Sequence, residues 1–272
     1  MTDARFPDYP FQPQRIEIRP GIAMSFLDEG PRDGEVIVML HGNPSWSFYW
    51  RHLVLGLRDP ALGKAYRCIV PDHVGMGLSD RPDDAPSAVP HYDYTLQSRI
   101  DDLDALLDRL GVTGPVTLAV HDWGGMIGFG WALRDPSRVK RLVITNTASF
   151  PLPQSKRFPK RLAMGRDSRL GGWLIRRLNL FARGAAWFGT ERALPKDVRA
   201  AYAGPYDGWD QAISTLRFMQ DIPLDAGDRA MPLVQAAAAA LPGYADRPAF
   251  IGWGLKDFVF DKHFLAGFRA AL

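Results

Sequence analysis

A single cysteine among 272 residues rules out any disulfide within the chain. Cys68 lies in the apolar run 66–70 and reads as a buried, inert thiol. No apolar run approaches the length needed to span a bilayer, and the segment Met1–Gln14 lacks the basic-then-apolar layout of a secretion signal. A cytoplasmic protein is expected. Net charge is also scarce, with 33 Lys and Arg against 30 Asp and Glu, or +3. That balance argues against a nucleic-acid partner, as does the want of a basic motif interleaved with aromatics. What is present is ordinary for a globular enzyme: 46% hydrophobic, 11% aromatic and 23% charged residues, enough for one large core.

Short β-like runs alternate with longer helical patterns. The segments Arg15–Arg19 and Ile22–Asp28 flank Pro20-Gly21 and predict a hairpin. Val36–Leu40 and Cys68–Pro71 predict buried strands, with helical spacing over Trp46–Leu57 between them. Leu96–Leu110 places Ile100, Leu103, Leu106, Leu107 and Leu110 on one helical face. Val116–Val120, a helix over Met126–Leu133 and the strand Val139–Thr145 continue the alternation, which implies a parallel sheet covered by helices. From about Phe150 to Asp225 helical patterns occur without a convincing strand. Gln235–Leu241 (helix) and Arg247–Trp253 (strand) then resume the sheet. The expected organisation is a core over residues 1–149, a helical cap over 150–225 and the second part of the core over 226–272, with the cap above the strand ends where open α/β sheets bind ligands.

The cap's first half is short of acids. Lys156, Arg157, Lys160, Arg161, Arg166, Arg169, Arg176, Arg177 and Arg183 meet only Asp167. Leu170, Trp173, Leu174, Leu178 and Phe181 recur among them at helical spacing. A solvated helix face over an apolar underside accounts for this pattern. A surface for a protein partner of opposite charge, or for a membrane, accounts for it too.

The chemistry concentrates where the apolar run Val116–Val120 stops at His121-Asp122-Trp123-Gly124-Gly125. A strand ending at a small polar residue, followed by glycines and a helix, is the layout of a nucleophile elbow. Aspartate stands where serine is usual. A carboxylate attacks carbon without a base, forming an ester of Asp122 that a histidine-activated water must then open. The plain alternative makes Asp122 a helix N-cap. His41-Gly42-Asn43-Pro44 follows the strand Val36–Leu40. Asn43 would offer a backbone N–H and a side-chain amide, and Trp123 a backbone N–H and an indole N–H. Such donors suit a departing anion, although Asn-Pro is also a plain turn and Trp a core aromatic. The glycine-rich loop Asp72–Ser79 reads as structural, and His73 within it stands too early in the chain for a base.

These motifs resemble the haloalkane dehalogenase family of α/β-hydrolases in order and spacing: His41-Gly42-Asn43-Pro44, Asp72 to Ser79, and His121 to Gly125. The chain is most similar to the branch containing the β-lactone decarboxylases of olefin biosynthesis. Segments 150–153, 194–202, 220–224 and 257–261 carry that finer likeness. The resemblance implies an α/β-hydrolase fold, a mostly parallel sheet flanked by helices with a helical cap insertion. It implies Asp122 as nucleophile, Asn43 and Trp123 as anion donors, an apolar small-molecule substrate, and neither metal nor cofactor.

The acid that orients the base follows either of two strands in that family. The earlier place reads Thr145-Asn146-Thr147, without a carboxylate, so the later one, Asp257, is implied. The family's histidine, last strand and final helix would lie beyond Leu272. His263, inside the helical pattern Asp261–Leu272, does not occupy the histidine's place. On this basis the Asp122 ester is expected to accumulate in the 272-residue chain. The catalytic residues do not separate a β-lactone decarboxylase from a haloalkane dehalogenase. An epoxide hydrolase would use Tyr202 and Tyr206, and a non-catalytic binding protein would keep the pocket alone.

Overall fold

The computed structural model describes residues 6–272. Strands β1 (Gln14–Arg19) and β2 (Ile22–Glu29) form the leading hairpin, with Gly21 at φ 72° in the turn. Then come β3 (Glu35–Leu40), α1 (Arg51–Leu57), β4 (Tyr66–Pro71), α2 (Leu96–Arg109), β5 (Val116–Asp122), α3 (Trp123–Ala132) and β6 (Val139–Thr147). Five helices follow with no strand between them: α4 (Lys160–Asp167), α5 (Arg169–Leu178), α6 (Leu180–Phe188), α7 (Lys196–Ala203) and α8 (Ile213–Gln220). The order closes with α9 (Met231–Ala240), β7 (Ala249–Gly252) and α10 (Lys262–Ala271).

Among the described residues the seven strands make one sheet in the order β1-β2-β4-β3-β5-β6-β7. β4, β3, β5, β6 and β7 run parallel, and the hairpin joins antiparallel through β2. Both faces of the central strands are covered, which explains their unbroken apolar runs. Side chains still alternate along each strand. Val38, Leu40, Leu118 and Val120 pack with Leu103, Ile127 and Val234 of α2, α3 and α9. Ile37, Met39 and Ala119 face the opposite way, onto Trp46, Phe48 and Val54.

Several expected elements differ in extent, and for two of them the cause is visible in the contacts. Trp46–Leu57 divides into a single 3-10 turn, Ser47–Trp50, followed by α1. The Asp72 carboxylate takes the Ser47 N–H at 2.7 Å and fixes where that turn begins. The last strand is shorter than Arg247–Trp253. The Arg247 guanidinium donates back to the carbonyls of Pro136 and Val139, while Trp253 turns away to donate its indole N–H to Phe260 O at 2.7 Å.

The helices between β6 and β7 are fastened to the loops at the carboxyl ends of β3 and β4. Tyr206 donates its hydroxyl to Ser45 O at 2.7 Å, and Trp46 its indole N–H to Ala201 O at 3.0 Å. Asp221 accepts from the Leu96 N–H at 2.6 Å, tying the end of α8 to the start of α2. Among the described residues, no helix is long and apolar enough to cross a membrane.

Helix α3 lies so close to the sheet that a Cβ at Gly124 would stand 2.3 Å from Leu40 O, a backbone atom. Gly124→Ala is therefore expected to cost about 1–3 kcal/mol of stability by forcing α3 off β3. Urea unfolding measures it, and an unchanged midpoint would contradict the close approach.

Candidate active site

Asp122 is the last residue of β5 and caps α3, with φ 52° and ψ −125°. A positive φ at a non-glycine residue costs energy and persists only where the surroundings enforce it. Here they do. The N–H of Trp123 and the N–H of Asn43 both donate to Asp122 Oδ1, at 2.7 and 2.6 Å. The Thr147 hydroxyl donates to the Asp122 carbonyl and accepts from the Gly125 N–H at 3.1 Å. A Cβ at Gly42 would stand 1.9 Å from Asp122 Oδ1, so the loop after β3 can approach only because Gly42 lacks one. N-cap and elbow turn out to be one geometry: the carboxylate that caps α3 is the side chain lifted above the sheet.

Asp122 keeps part of its surface open, but protein surrounds most of its carboxylate. This desolvation pushes its carboxyl up to about 7. The N–H donors of Asn43 and Trp123 oppose the rise, and the charge of Asp257 adds to it. Asp257 thus acts on Asp122 through its field. Its Oδ1 accepts from the N–H groups of Val259 and Phe260 at 2.7 and 3.0 Å, holding its own loop in shape.

Three histidines near the elbow are committed to loop structure. His41 Nδ1 donates to Gly42 O at 2.9 Å, while its Nε2 accepts from the His73 N–H at 3.2 Å. His73 Nε2 donates to His41 O at 3.0 Å, locking the two loops together. His121 Nδ1 donates to Thr145 O at 3.1 Å, and its ring stacks on Tyr49 at 4.1 Å. Burial pushes His41 and His121 down to about 4, so both are neutral at pH 7, and it lowers His73 as well. His263 Nδ1 lies 3.0 Å from Asp261 Oδ1, the N-cap of its own helix. Among the described residues none of these rings is hydrogen-bonded to Asp257.

The two donor side chains differ in their engagement. Asn43 donates through Nδ2 to Thr215 O on α8 at 2.9 Å, which leaves the second amide hydrogen free. The Trp123 indole packs 5.2 Å from Phe218 of α8, and its N–H has no partner among the described residues. Tyr206 and Tyr202 are occupied. The Tyr206 hydroxyl donates to Ser45 O and accepts from the Gly77 N–H at 3.4 Å, and the Tyr202 hydroxyl accepts from Arg51 at 3.5 Å. Asp72 is buried and accepts from the Ser47 and Leu78 N–H groups, bracing its loop. Cys68 is buried, and desolvation raises its thiol to about 12. Among the described residues no group of three or more His, Cys, Asp or Glu could hold a metal ion.

Sequence reasoning missed three residues. Thr147 pins the elbow from β6, which runs two residues past the expected strand end at Thr145. Thr215 links Asn43 to α8. Asn146 occupies the alternative acid position, where its amide donates to Gly254 O at 3.0 Å and Phe260 O at 3.2 Å, and its Oδ1 accepts from the Gly254 N–H at 2.7 Å. It therefore clamps the loop that carries Asp257.

A family model described as alpha/beta hydrolase fold matches residues 35–272. A cis-3-alkyl-4-alkyloxetan-2-one decarboxylase of Xanthomonas campestris pv. campestris is 67% identical over 267 residues, covering 98% of this chain and 87% of that protein. A haloalkane dehalogenase of Mycolicibacterium paratuberculosis is 33% identical over 263 residues, covering 94% of this chain and 81% of that protein. The crystal structure of haloalkane dehalogenase DbeA from Bradyrhizobium elkani matches with a TM-score of 0.80 at 25% identity, covering 96% of this chain and 87% of that one.

The raised Asp122 carboxyl has a measurable consequence for stability. Because its folded value is above the ordinary 3.8, the stability it contributes is fully present below about 4 and is lost as pH rises through about 7. Asp122→Asn keeps an oxygen for both N–H donors and removes the charge. It should raise stability by roughly 1–3 kcal/mol at pH 8 and hardly at pH 4. Thermal melts at the two pH values check this, and an equal or opposite shift at pH 8 would contradict it.

Proposed function

The chain belongs to the α/β-hydrolase-fold family, and we propose that it is a β-lactone decarboxylase, converting cis-3-alkyl-4-alkyloxetan-2-ones to alkenes with Asp122 as nucleophile. The observation that carries the reading is 67% identity across nearly the whole chain to a decarboxylase of that name, joined to a carboxylate held at φ 52° on the elbow. Residues 150–225 are its cap, and α8 brings Phe218 against Trp123 and Thr215 against Asn43, the two proposed donors.

Asp122 attacks the alkyl-bearing ring carbon that is bonded to the ring oxygen, not the carbonyl carbon. The C–O bond of the ring breaks, and the released carboxylate faces the free hydrogen of the Asn43 amide and the Trp123 indole N–H. Next the bond between this carboxylate and its neighbouring carbon breaks and carbon dioxide leaves. That electron pair forms the double bond as the carbon–Asp122 bond breaks, returning the carboxylate. In-line attack sets the Asp122 oxygen opposite the departing ring oxygen, and hence anti to the bond that releases carbon dioxide. Anti elimination keeps the two alkyl groups cis. Atoms and charge balance without water, oxidant or an external proton.

Haloalkane dehalogenation is the second reading, supported by the 33% identical dehalogenase and by the same pair of side-chain donors. Its alkyl ester has no carboxylate to lose, so water must open it with the help of a base. Asp257 is the acid proposed to orient that base, which is not assigned among the described residues. Epoxide opening fits less well, because the hydroxyls of Tyr202 and Tyr206 are already engaged. A cytoplasmic place of action belongs to the proposal, in keeping with the single buried cysteine.

The test is turnover in heavy-oxygen water. A cis-β-lactone should yield the cis-alkene and carbon dioxide while Asp122 gains no label. A bromoalkane turned over as substrate would release bromide and label Asp122. Label entering Asp122 during alkene formation, or a hydroxy acid in place of the alkene, would contradict the elimination. The rate of ester formation should also fall as pH drops below about 7, where the nucleophile takes up a proton.

A further inference from the structure

The nine cations of segment 156–183 divide into two sets. Lys156, Arg166, Arg176 and Arg183 pair internally with Asp261, Asp228, Asp210 and Asp207. Arg157, Lys160, Arg161, Arg169 and Arg177 are exposed and have no ion-pair partner among the described residues. The single acid of the stretch, Asp167, already faces Arg166. The segment leading into α4 and the exposed sides of α4 and α5 therefore present unneutralised positive charge on a chain whose net charge is only +3.

The same face is apolar. Helix α5 turns Gly171, Gly172 and Ile175 inward and leaves Leu170, Trp173 and Leu178 at 64%, 47% and 48% exposure. Helix α6 buries Ala182 and Ala186 and leaves Leu180, Trp187 and Phe188 exposed, the last at 81%. Met164 on α4 joins them. α4 abuts α5, since a Cβ at Gly171 would stand 2.3 Å from Met164 O. Exposed apolar side chains of this size are normal singly, but a group of seven on three successive short helices marks a contact surface.

We propose that the outer face of α4–α6 docks on an anionic lipid bilayer, lying in the interface without crossing it. The unpaired cations complement lipid phosphates, and their long stems let the charged heads rise to the headgroups while Leu, Trp and Phe enter the acyl boundary. Aliphatic side chains interleaved with unpaired cations suit lipid better than the surface of an acidic protein, which offers fewer apolar contacts between its charges. Docking rests on this surface alone. Its use, drawing a dialkyl lactone out of the bilayer, rests on the function proposed above.

Flotation of the full chain with phosphatidylglycerol-containing vesicles, and with phosphatidylcholine vesicles alone, tests the docking without substrate. The protein should float with the anionic vesicles, with a blue shift of tryptophan emission, and far less with the neutral ones. Arg169→Glu with Arg177→Glu should lower partitioning about tenfold or more while thermal melting and turnover of detergent-dispersed lactone stay unchanged. Arg157→Glu with Lys160→Glu, away from α5, supplies a second pair should the first fail to fold. Equal binding to both vesicle types, no binding to either, or a folded charge-reversed variant that binds like the parent would overturn the proposal. The second result is the one an acidic protein partner predicts. Vesicle binding in a protein inert toward lactone would refute the proposed function and leave the docking standing.

Discussion

Two backbone N–H groups, from Asn43 and Trp123, converge on one carboxylate oxygen of Asp122, and most of the surrounding structure serves that convergence. It requires a positive φ at the end of β5, a glycine at 42 so that the neighbouring loop can approach, and a glycine at 124 so that α3 can start against β3. It also requires the loops after β3 and β4 to be rigid. The interlocked His41 and His73 provide this from one side, and the buried Asp72 carboxylate from the other. None of these groups needs to touch a substrate to matter. They determine where the Asp122 carboxylate stands.

Burial and activation are one constraint at this site. The walls that hold the carboxylate raise it toward 7, which weakens the fold at neutral pH and makes the anion poorly solvated. A poorly solvated carboxylate is the better nucleophile toward carbon, and in the proposed reaction the nearby indole and amide hydrogens would answer the charge that departs. The helices between β6 and β7 participate directly, because Thr215 and Phe218 of α8 position Asn43 and Trp123. An α8 displaced from the elbow would lose both contacts at once.

How much could be read beforehand follows from what is local in sequence. The elbow was legible because an abrupt stop, a small polar residue and two glycines are consecutive, and Asn43 because it directly follows a buried strand. The mostly parallel sheet was legible from apolar runs alternating with helical spacing. Thr147 and Asn146 were not, although both lie on a strand that had been recognised. A polar residue two positions past an apolar run carries no periodic signal, and its partners lie 22 to 114 residues away. The tyrosines show the converse. Sequence names them as the pair an epoxide hydrolase would use, and only the packed loops reveal that Ser45, Gly77 and Arg51 occupy their hydroxyls. Likewise, sequence counts nine cations over residues 156–183, and the fold separates the four that are paired.

The assignment of Asp122 as nucleophile bears most of the weight and can be tested directly. With enzyme in excess over a cis-β-lactone, acid quenching within the first turnover and peptide mass spectrometry should find the intact lactone mass on the peptide containing Asp122. The adduct should be absent from the Asp122→Asn protein. Alkene formed while the adduct sits on Asp257 or another residue, or formed undiminished by Asp122→Asn, would contradict the assignment.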